Sequence, residues 1–333
     1  MNQKKIGVAV LGATGTVGQK MICMLENHPL FEVAELAASE ASDGKIYGDL
    51  VLWREADALP ARIAKLPMKN LKDVTALYAI SGLPADTAKE IEPFLANRGT
   101  HVVSNASAFR MEKNVPLLIP EINAAHLSLL NDQKTKGKII TNPNCSTVFL
   151  VMALAPLMEL GTIEHVSVVT LQAISGAGYP GVSSMDILGN IIPFIGQEEE
   201  KIETEAKKIL GTAQQWNENF SVTCHVHRVP VMHGHTVATH VMFKEKIKPE
   251  QVYQVYQKWN QKYPELFKVH TSKDRPQPLK DITNYDQRCH IGRIKQGDRD
   301  NIIGLVSQGH NLVRGAAGAA LLNLELLHRF LNR

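Results

Sequence analysis

The sequence predicts an α/β chain in which a doubly wound parallel sheet precedes an α+β unit with a largely antiparallel sheet. Three observations carry that expectation. Short apolar strands alternate with helix-length segments through residues 6–105. A glycine-rich turn, "GATGTVG", joins the first strand to the first helix. Beyond residue 145 the strands lengthen and short turns connect them. The 333 residues, 44% hydrophobic and 21% charged, suffice for two cores. A net charge of +3 is too small by itself to imply nucleic acid or a membrane surface.

The elements follow in order. "IGVAVLGA" (6–13) is a compact apolar run ending in glycine, read as a first strand and not a secretory signal. "TVGQKMICMLENHP" (16–29) sets Val17, Met21, Ile22, Met24 and Leu25 on one helical face, with Pro29 just past its end. "FEVAELAAS" (31–39), "ALYAIS" (76–81) and "THVVSN" (100–105) read as further strands. "PADTAKEIEPFLANRG" (84–99) is a helix with proline at its start and glycine at its stop, and Pro93 is expected to bend it. "STVFLVMALAPLMELG" (146–161) is apolar enough for a buried helix, with Pro156 as a kink or break. "EHVSVVTLQAIS" (164–175) is a long β-branched strand. "FSVTCHVHRVPV" (220–231) and "HTVATHVMFKE" (235–245) read as paired strands joined at residues 232–234. An amphipathic helix (249–265) and a hairpin (289–308) turning near Gly297 and Asp298 follow. "LVRGAAGAALLNLELLHRFL" (312–331) is one long helix whose small residues let another backbone approach. No run of ~18 apolar residues occurs, so no transmembrane helix is expected.

Gly12, Gly15 and Gly18 follow a strand and open a helix. Glycine allows the tight turn and lets backbone N–H groups approach a pyrophosphate, whose charge a helix N-terminus favours. The alternative is a plain glycine-rich βα turn. The second strand ends "AASEASDG" (37–44), where an adenosine ribose would sit. Ser39 and Ser42 suit a 2′-phosphate, Lys45 would help, and Glu40 opposes one.

Cys23, Cys145, Cys224 and Cys289 form no CxxC pair, so no disulfide framework is expected and a reducing cytoplasm fits. Cys145, in "TNPNCST", stands at the start of the buried helix between Asn144 and Ser146. A helix N-terminus favours thiolate, and a strand-to-helix junction leaves the sulfur reachable at the sheet's C-terminal edge. The other three cysteines read as small buried apolar residues. "HVHRVPVMHGHT" (225–236) concentrates four histidines around Arg228. His225 and His227 share a strand face and are candidate metal ligands, but no cysteine or carboxylate stands at ligand spacing, and no metal is expected. One acid/base imidazole beside an anion-holding arginine is the preferred reading.

"GATGTVG", "SNASAFRM", "NPNCST", "LQAISGAGYPG", "RVPVMHGHT" and "NLVRGAAGAA" stand in the order of the aspartate-semialdehyde dehydrogenases, and the chain resembles that family over nearly its whole length, most of all its archaeal and fungal branch. The resemblance implies a Rossmann-type NADP-binding domain (1–144), completed by the C-terminal helix (311–333), and a catalytic and dimerisation domain (145–310). It implies NADPH-dependent reduction of L-aspartyl-4-phosphate to L-aspartate-4-semialdehyde through a Cys thioester, toward lysine, methionine and threonine. By position Cys145 resembles the nucleophile, His235 the acid/base group and Gln172 the residue that orients the acyl group. Arg228 resembles the carboxylate-gripping arginine, and Arg110 the phosphate-binding one, with Asn144 at the same site. Glu198 resembles the acid for the substrate amine and Lys201 a phosphate ligand, within a run of three glutamates. Cofactor contacts fall on Gly12, Thr14, Gly15, Thr16, Val17, Ser39, Ser42, Ser81, Gly82, Ser175, Gly176 and Asn311. NADP(H) is expected, with NAD(H) as the weaker alternative because Ala41 stands where the family often has an arginine and Glu40 is nearby. His310 replaces the family's usual aspartate before Asn311, and Val226 a frequent cysteine. A cytoplasmic homodimer or homotetramer acting on small molecules, with no nucleic-acid or membrane partner, is implied. Two rivals are related thioester-forming reductases, acting on malonyl-CoA or N-acetyl-glutamyl phosphate, and a nucleotide sensor with an inert Cys145.

Overall fold

The computed structural model describes residues 4–332, which divide into two compact units. The first contains the chain up to Pro120, Ala124–Pro143 and everything from Ala316. Its six strands are β1 (Ile6–Leu11), β2 (Phe31–Ala38), β3 (Met68–Asn70), β4 (Tyr78–Ser81), β5 (His101–Ser104) and β6 (Ile139–Thr141). All pair in parallel, in the order β3-β2-β1-β4-β5-β6. The chain winds outward from β1 in one direction and then crosses to β4, so the strand order reverses between β1 and β4. That is where a doubly wound sheet opens a crevice at its C-terminal edge.

Period-two alternation explains why both faces are covered. Val8 and Val10 face a core that includes Met21, Leu25, Leu321, Leu324 and Leu327. Ala9 and Leu11 face a second core with Ile91, Leu95 and Val102. The tail helix Gly318–Leu331 therefore covers the first face and the helix Ala85–Arg98 the second. Pro93 lies inside the latter, which continues through it to Gly99, a left-handed residue at φ 114°. Val313–Ala317 forms a π turn before the tail helix, so the expected single helix begins with a wider turn. The short strands β3 and β6 are not visible in the periodicity, because three residues carry too little of it.

One buried acid marks this unit. Glu92 is fully buried, and Ser104 Oγ donates to its Oε1 at 2.7 Å. Burial pushes its carboxyl up to about 7, against the hydrogen bonds of Ser81 and Ser104. A folded pKa raised above the unfolded value gives stability that is present below pH ~4.5 and lost as pH rises through ~7. Glu92→Gln is therefore expected to stabilise the protein by about 3 kcal/mol at pH 8 and to change it little at pH 4.5. Urea unfolding of both proteins at the two pH values checks this, and equal midpoints at pH 8 contradict it.

The second unit contains Glu121–Asn123 and Asn144–Gly315. Its strands are β7 (Ile163–Ala173), β8 (Ser221–Val229), β9 (His235–Phe243), β10 (Phe267–Val269), β11 (Cys289–Gln296) and β12 (Ile302–Gly309). They run in the order β10-β11-β12-β9-β7-β8. The three central pairings are antiparallel, while β10 with β11 and β7 with β8 are parallel. The expected hairpin of β8 and β9 does not form. β7 inserts between them, pairing in parallel with β8 and antiparallel with β9. The turn at residues 232–234 is thus a crossover over the end of β7. The helix Cys145–Leu157 is apolar on every face and buried after its first residue, and it packs against β9, β11 and β12. The helix Pro249–Lys262 packs beside it, against β10 and β11. β7 alternates accordingly, with Val166, Val168, Thr170 and Gln172 buried and Val169 and Leu171 exposed on the opposite face.

Candidate active site

The peptide around Cys145 folds as local chemistry dictates. Asn144 Oδ1 accepts the N–H groups of Ser146 at 2.8 Å and Thr147 at 3.3 Å, capping the helix at its first turn. Every residue of 141–150 except Cys145 is buried, so the sulfur is the one reachable point. Gly315 makes room for it, since a methyl there would lie 2.9 Å from Cys145 Cβ. Cys224 and Cys289 are different thiols: burial pushes each up to about 12.

Strand alternation delivers the partners. Gln172 in β7 pairs in register with Arg228 in β8, and Leu171 with Thr236 of β9. Gln172, Arg228 and His235 therefore point to the same inner face of three adjacent strands, and all three are buried. His235 Nε2 lies 3.1 Å from Cys145 Sγ. Its Nδ1 accepts the backbone N–H of Ala173 at 3.0 Å. A ring whose Nδ1 is an acceptor carries its proton on Nε2, facing the sulfur. Burial, then the charges of Arg228 and His310, pulls this imidazole down to about 3, so it is neutral at neutral pH. The carbonyl of the same residue, Ala173, accepts Arg228 Nη1 at 2.7 Å. One residue at the end of β7 thus orients both side chains, His235 through its N–H and Arg228 through its C=O. Burial also pulls Arg228 below the usual arginine value, opposed by the charges of Cys145 and Glu198.

Gly176 and Asn311 shape the loops beside His235. A methyl on Gly176 would stand 3.0 Å from both Arg228 Nη1 and His235 Cε1, so only glycine fits without moving them. Asn311 Oδ1 accepts Gly234 N–H at 2.9 Å, and its Nδ2 donates to Ser175 Oγ at 2.9 Å. The amide therefore ties the turn before His235 to the segment after β7. His233 stacks on His310 with centroids 5.1 Å apart.

The helix Glu198–Ile209 sorts its own glutamates. Asn144 Nδ2 donates to Glu198 Oε2 at 2.5 Å, and Lys201 Nζ stands 3.4 Å from Glu198 Oε1. Glu199 and Glu203 turn instead to β8, an edge strand, and accept its N–H groups at Val226 and Cys224. Glu200 is exposed. Of the three, Glu198 alone joins Asn144 and Lys201.

In the first unit, Gly12 ends β1 at φ 75°, and Gly82 N–H donates to Leu11 O across the strand switch at 2.9 Å. A methyl on Gly18 would lie 2.3 Å from Gly12 O, so the turn closes only with glycine. Gly15 caps the helix Thr16–Glu26 without a side-chain hydrogen bond, and Thr14, Gly15, Thr16 and Val17 are at least partly exposed. Such first-turn N–H groups suit a pyrophosphate. Ser39 follows β2, and Ser42 closes the short turn Glu40–Ser42. Ser81 ends β4, and its carbonyl accepts Asn105 Nδ2 at 2.9 Å. Arg110 Nη2 donates to Asn105 O at 2.6 Å.

Sequence reading missed several participants. Ala173 acts through its backbone N–H and C=O, for which no residue type is a signal. Glu205, whose Oε2 accepts Asn144 N–H at 2.6 Å, lies on the same helical face as Glu198 and was legible in that spacing. Arg314 forms a two-pronged pair with Glu121, at 3.1 and 2.6 Å, in the segment leading to Gly315. Asn142 donates to Asn105 Oδ1 at 2.8 Å and accepts from Asn323 at 2.6 Å, a buried amide chain under the ends of β5 and β6. His225 and His227 do share a face, the outer one. Among the described residues no third metal-ligating group joins them.

A family model described as "Semialdehyde dehydrogenase, NAD binding domain" matches residues 7–130. A second, "Semialdehyde dehydrogenase, dimerisation domain", matches residues 154–314. The chain is 44% identical to an aspartate-semialdehyde dehydrogenase of Archaeoglobus fulgidus, covering 97% of this chain and 98% of that one. It is 42% identical to that of Schizosaccharomyces pombe, covering 97% of each. A crystal structure of aspartate semialdehyde dehydrogenase with NADP from Candida albicans superposes at a TM-score of 0.88, with 36% identity over 97% of this chain and 98% of that one.

Proposed function

The chain belongs to the semialdehyde dehydrogenase family, and from that membership we propose that it is an aspartate-semialdehyde dehydrogenase working through a thioester on Cys145. It reduces L-aspartyl-4-phosphate to L-aspartate-4-semialdehyde, with release of phosphate, in the synthesis of lysine, methionine and threonine. The observation that carries this reading is the 3.1 Å contact between the one reachable thiol and the Nε2–H of a neutral, backbone-locked histidine.

Cys145 acts as a thiolate. A neutral His235 with its proton on Nε2 has no vacancy for the thiol proton, and Nδ1 is committed to Ala173. The thiolate is instead favoured by the helix N-terminus, the nearby Arg228 charge and the Nε2–H itself. Its attack on the acyl phosphate expels phosphate, for which Arg110 and Lys201 are the assigned cations. The thioester is a better hydride acceptor than a carboxylate, and a bound nicotinamide supplies the hydride. His235 keeps its proton and donates a hydrogen bond from Nε2 to the oxyanion that develops on the acyl carbon; the oxyanion then collapses to the aldehyde as the Cys145 thiolate leaves. Gln172 orients that acyl group. Arg228 holds the substrate carboxylate, and Glu198 with Asn144 receives the ammonium end.

Arg228→Ala is expected to raise KM for semialdehyde at least ~10-fold with a smaller change in kcat, because it removes a charge-assisted contact made before and during reaction. Steady-state kinetics check this, and an unchanged KM contradicts the assignment.

The glycine turn fits a dinucleotide, since Gly12, Gly15 and Gly18 leave the first helical N–H groups uncovered by side chains. NADP is the assigned cofactor, supported by Ser39, Ser42 and Lys45 after β2 and by the NADP in the Candida albicans relative. Ser81, Gly82, Ser175, Gly176 and Asn311 complete the contacts. Oligomerisation follows from the matched dimerisation domain, and we assign a homodimer. Exposed Val169, Leu171, Met185, Leu188, Ile191 and Phe194 supply an apolar face for it. No described helix is long and apolar enough to cross a membrane. None of the four cysteines is in a disulfide, which suits a reducing cytoplasm. The direct test is oxidation of the semialdehyde with phosphate, run with NADP and with NAD, beside malonyl-CoA and N-acetyl-glutamyl phosphate as rival acyl donors. Turnover confined to a rival donor overturns the substrate.

A further inference from the structure

Three metal-ligating side chains converge at the far end of the second sheet, outside the chemistry described above. β10 runs parallel to β11 with Lys268 opposite His290 and Val269 opposite Ile291. That register sets His270, the next residue, beside His290. Their rings stack with centroids 5.3 Å apart, and His270 Nε2 lies 3.0 Å from His290 Nδ1. Asp281 closes the short helix Pro278–Asp281. The segment before it is pressed onto β11 at Gly292, where a methyl would come within 2.4 Å of Arg275 O. One ligand atom from each of His270, Asp281 and His290 lies within 4.8 Å of the other two.

We propose that His270, Asp281 and His290 form a binding site for one divalent cation of the zinc type. Two imidazoles and one carboxylate suit zinc or cobalt better than magnesium or calcium, which take oxygen ligands. Ligands ~2.0–2.1 Å from a tetrahedral ion stand roughly 3.3 Å apart. The two histidine nitrogens, 3.0 Å apart, already have nearly that spacing. An outer carboxylate completes the pattern. His290 Nε2 donates to Asp286 Oδ2 at 2.8 Å, which leaves His290 Nδ1 as the lone-pair side turned toward His270. Arg288 Nε donates to Asp286 Oδ1 at 2.9 Å and holds that carboxylate in place. Asp281 accepts from Arg275 Nη1 at 2.5 Å and from Gln277 N at 2.6 Å, one on each oxygen. A carboxylate offers about four lone-pair positions, so capacity remains for a cation. His290 is fully buried, while His270 is only half-buried and gives access.

The cation takes the place of the bond between the two histidines. His270 moves its Nε2 proton to Nδ1 and presents the freed lone pair, so this ring neither gains nor loses a proton. Occupancy clamps β10, β11 and the 275–281 segment together. Pro278 and Ile282 stand 3.2 and 3.1 Å from where a Gly234 methyl would be, so the clamp braces the turn that precedes His235.

Equilibrium dialysis with Zn²⁺, and visible spectroscopy with Co²⁺, test this on the untagged full chain. The Cys145–His235 pair is a competing soft-metal site, so the same measurements are made on Cys145→Ser. Expected are one equivalent of metal retained in both proteins and cobalt d–d bands without a thiolate charge-transfer band in Cys145→Ser. His270→Gln should weaken binding at least about tenfold, and His270→Cys should restore it and add the thiolate band. Zinc should raise Tm of the parent chain and leave that of His270→Gln unchanged. Three results would each overturn the proposal: no stoichiometric uptake at micromolar metal, uptake abolished by Cys145→Ser, or uptake indifferent to His270→Gln.

Discussion

Replacing Cys145 by serine is expected to lower kcat at least ~10³-fold while leaving fold and stability nearly unchanged. The two side chains differ by one atom of the same valence, so the Asn144 cap and the close approach of Gly315 persist. What is lost is ionisation. A hydroxyl stays protonated at neutral pH, and His235 has no free nitrogen with which to take its proton, because Nδ1 accepts from Ala173 and Nε2 already carries a hydrogen. The assay is semialdehyde oxidation with phosphate, with circular dichroism on the same sample as a check of fold. A near-native rate would exclude a covalent intermediate at this position. Alkylation separates the enzyme from an inert nucleotide sensor. Iodoacetamide should modify Cys145 rapidly at neutral pH, while Cys224 and Cys289, pushed up to about 12 by burial, stay unmodified in the folded chain.

Removal of the imidazole is expected to be the second largest loss. His235→Asn should lower kcat by ~10²–10³-fold, the range for losing a preorganised hydrogen-bond donor to an oxyanion. The variant should also shift the pH profile of Cys145 alkylation upward, because a hydrogen bond that favours thiolate has gone. A merely structural role for His235 would lower the amount of folded protein without moving that profile. The titration of His235 itself has a definite sign. Its folded pKa of about 3 lies below the unfolded value near 6.5, so the stability it contributes is present above pH ~6.5 and lost as pH falls toward ~3. An inflection in the rate profile near neutrality therefore belongs to another group. An imidazolium resonance of His235 in the folded protein at pH 6 would contradict this assignment.

Local chemistry made part of the site readable in one dimension. Gly12, Gly15 and Gly18 announce a glycine turn, and a methyl on Gly18, which would lie 2.3 Å from Gly12 O, shows why glycine is needed there. Asn144 and Cys145 announce a capped helix with a thiol on its first turn, because capping is a contact between residues two and three apart. Gln172 was legible only through the family resemblance, because at the end of β7 the apolar Val169 and Leu171 face outward and the polar Thr170 and Gln172 inward. Where the sequence offered two equivalent patterns, reading stopped. Three consecutive glutamates at 198–200 have one charge pattern, and only the edge N–H groups of β8 separate Glu199 from Glu198.

Sequence by itself determined the class of the first unit, the turn that would receive a pyrophosphate and the cysteine at the head of a buried helix. These rest on contacts between near neighbours, whose geometry the chain cannot avoid. Tertiary structure alone decided that β7 enters between β8 and β9, that the N–H and C=O of Ala173 orient His235 and Arg228, and that His270 meets Asp281 and His290. Those depend on which strands pair across long stretches of chain. Hydrophobic alternation says which face of a strand is buried but nothing about which strand lies beside it.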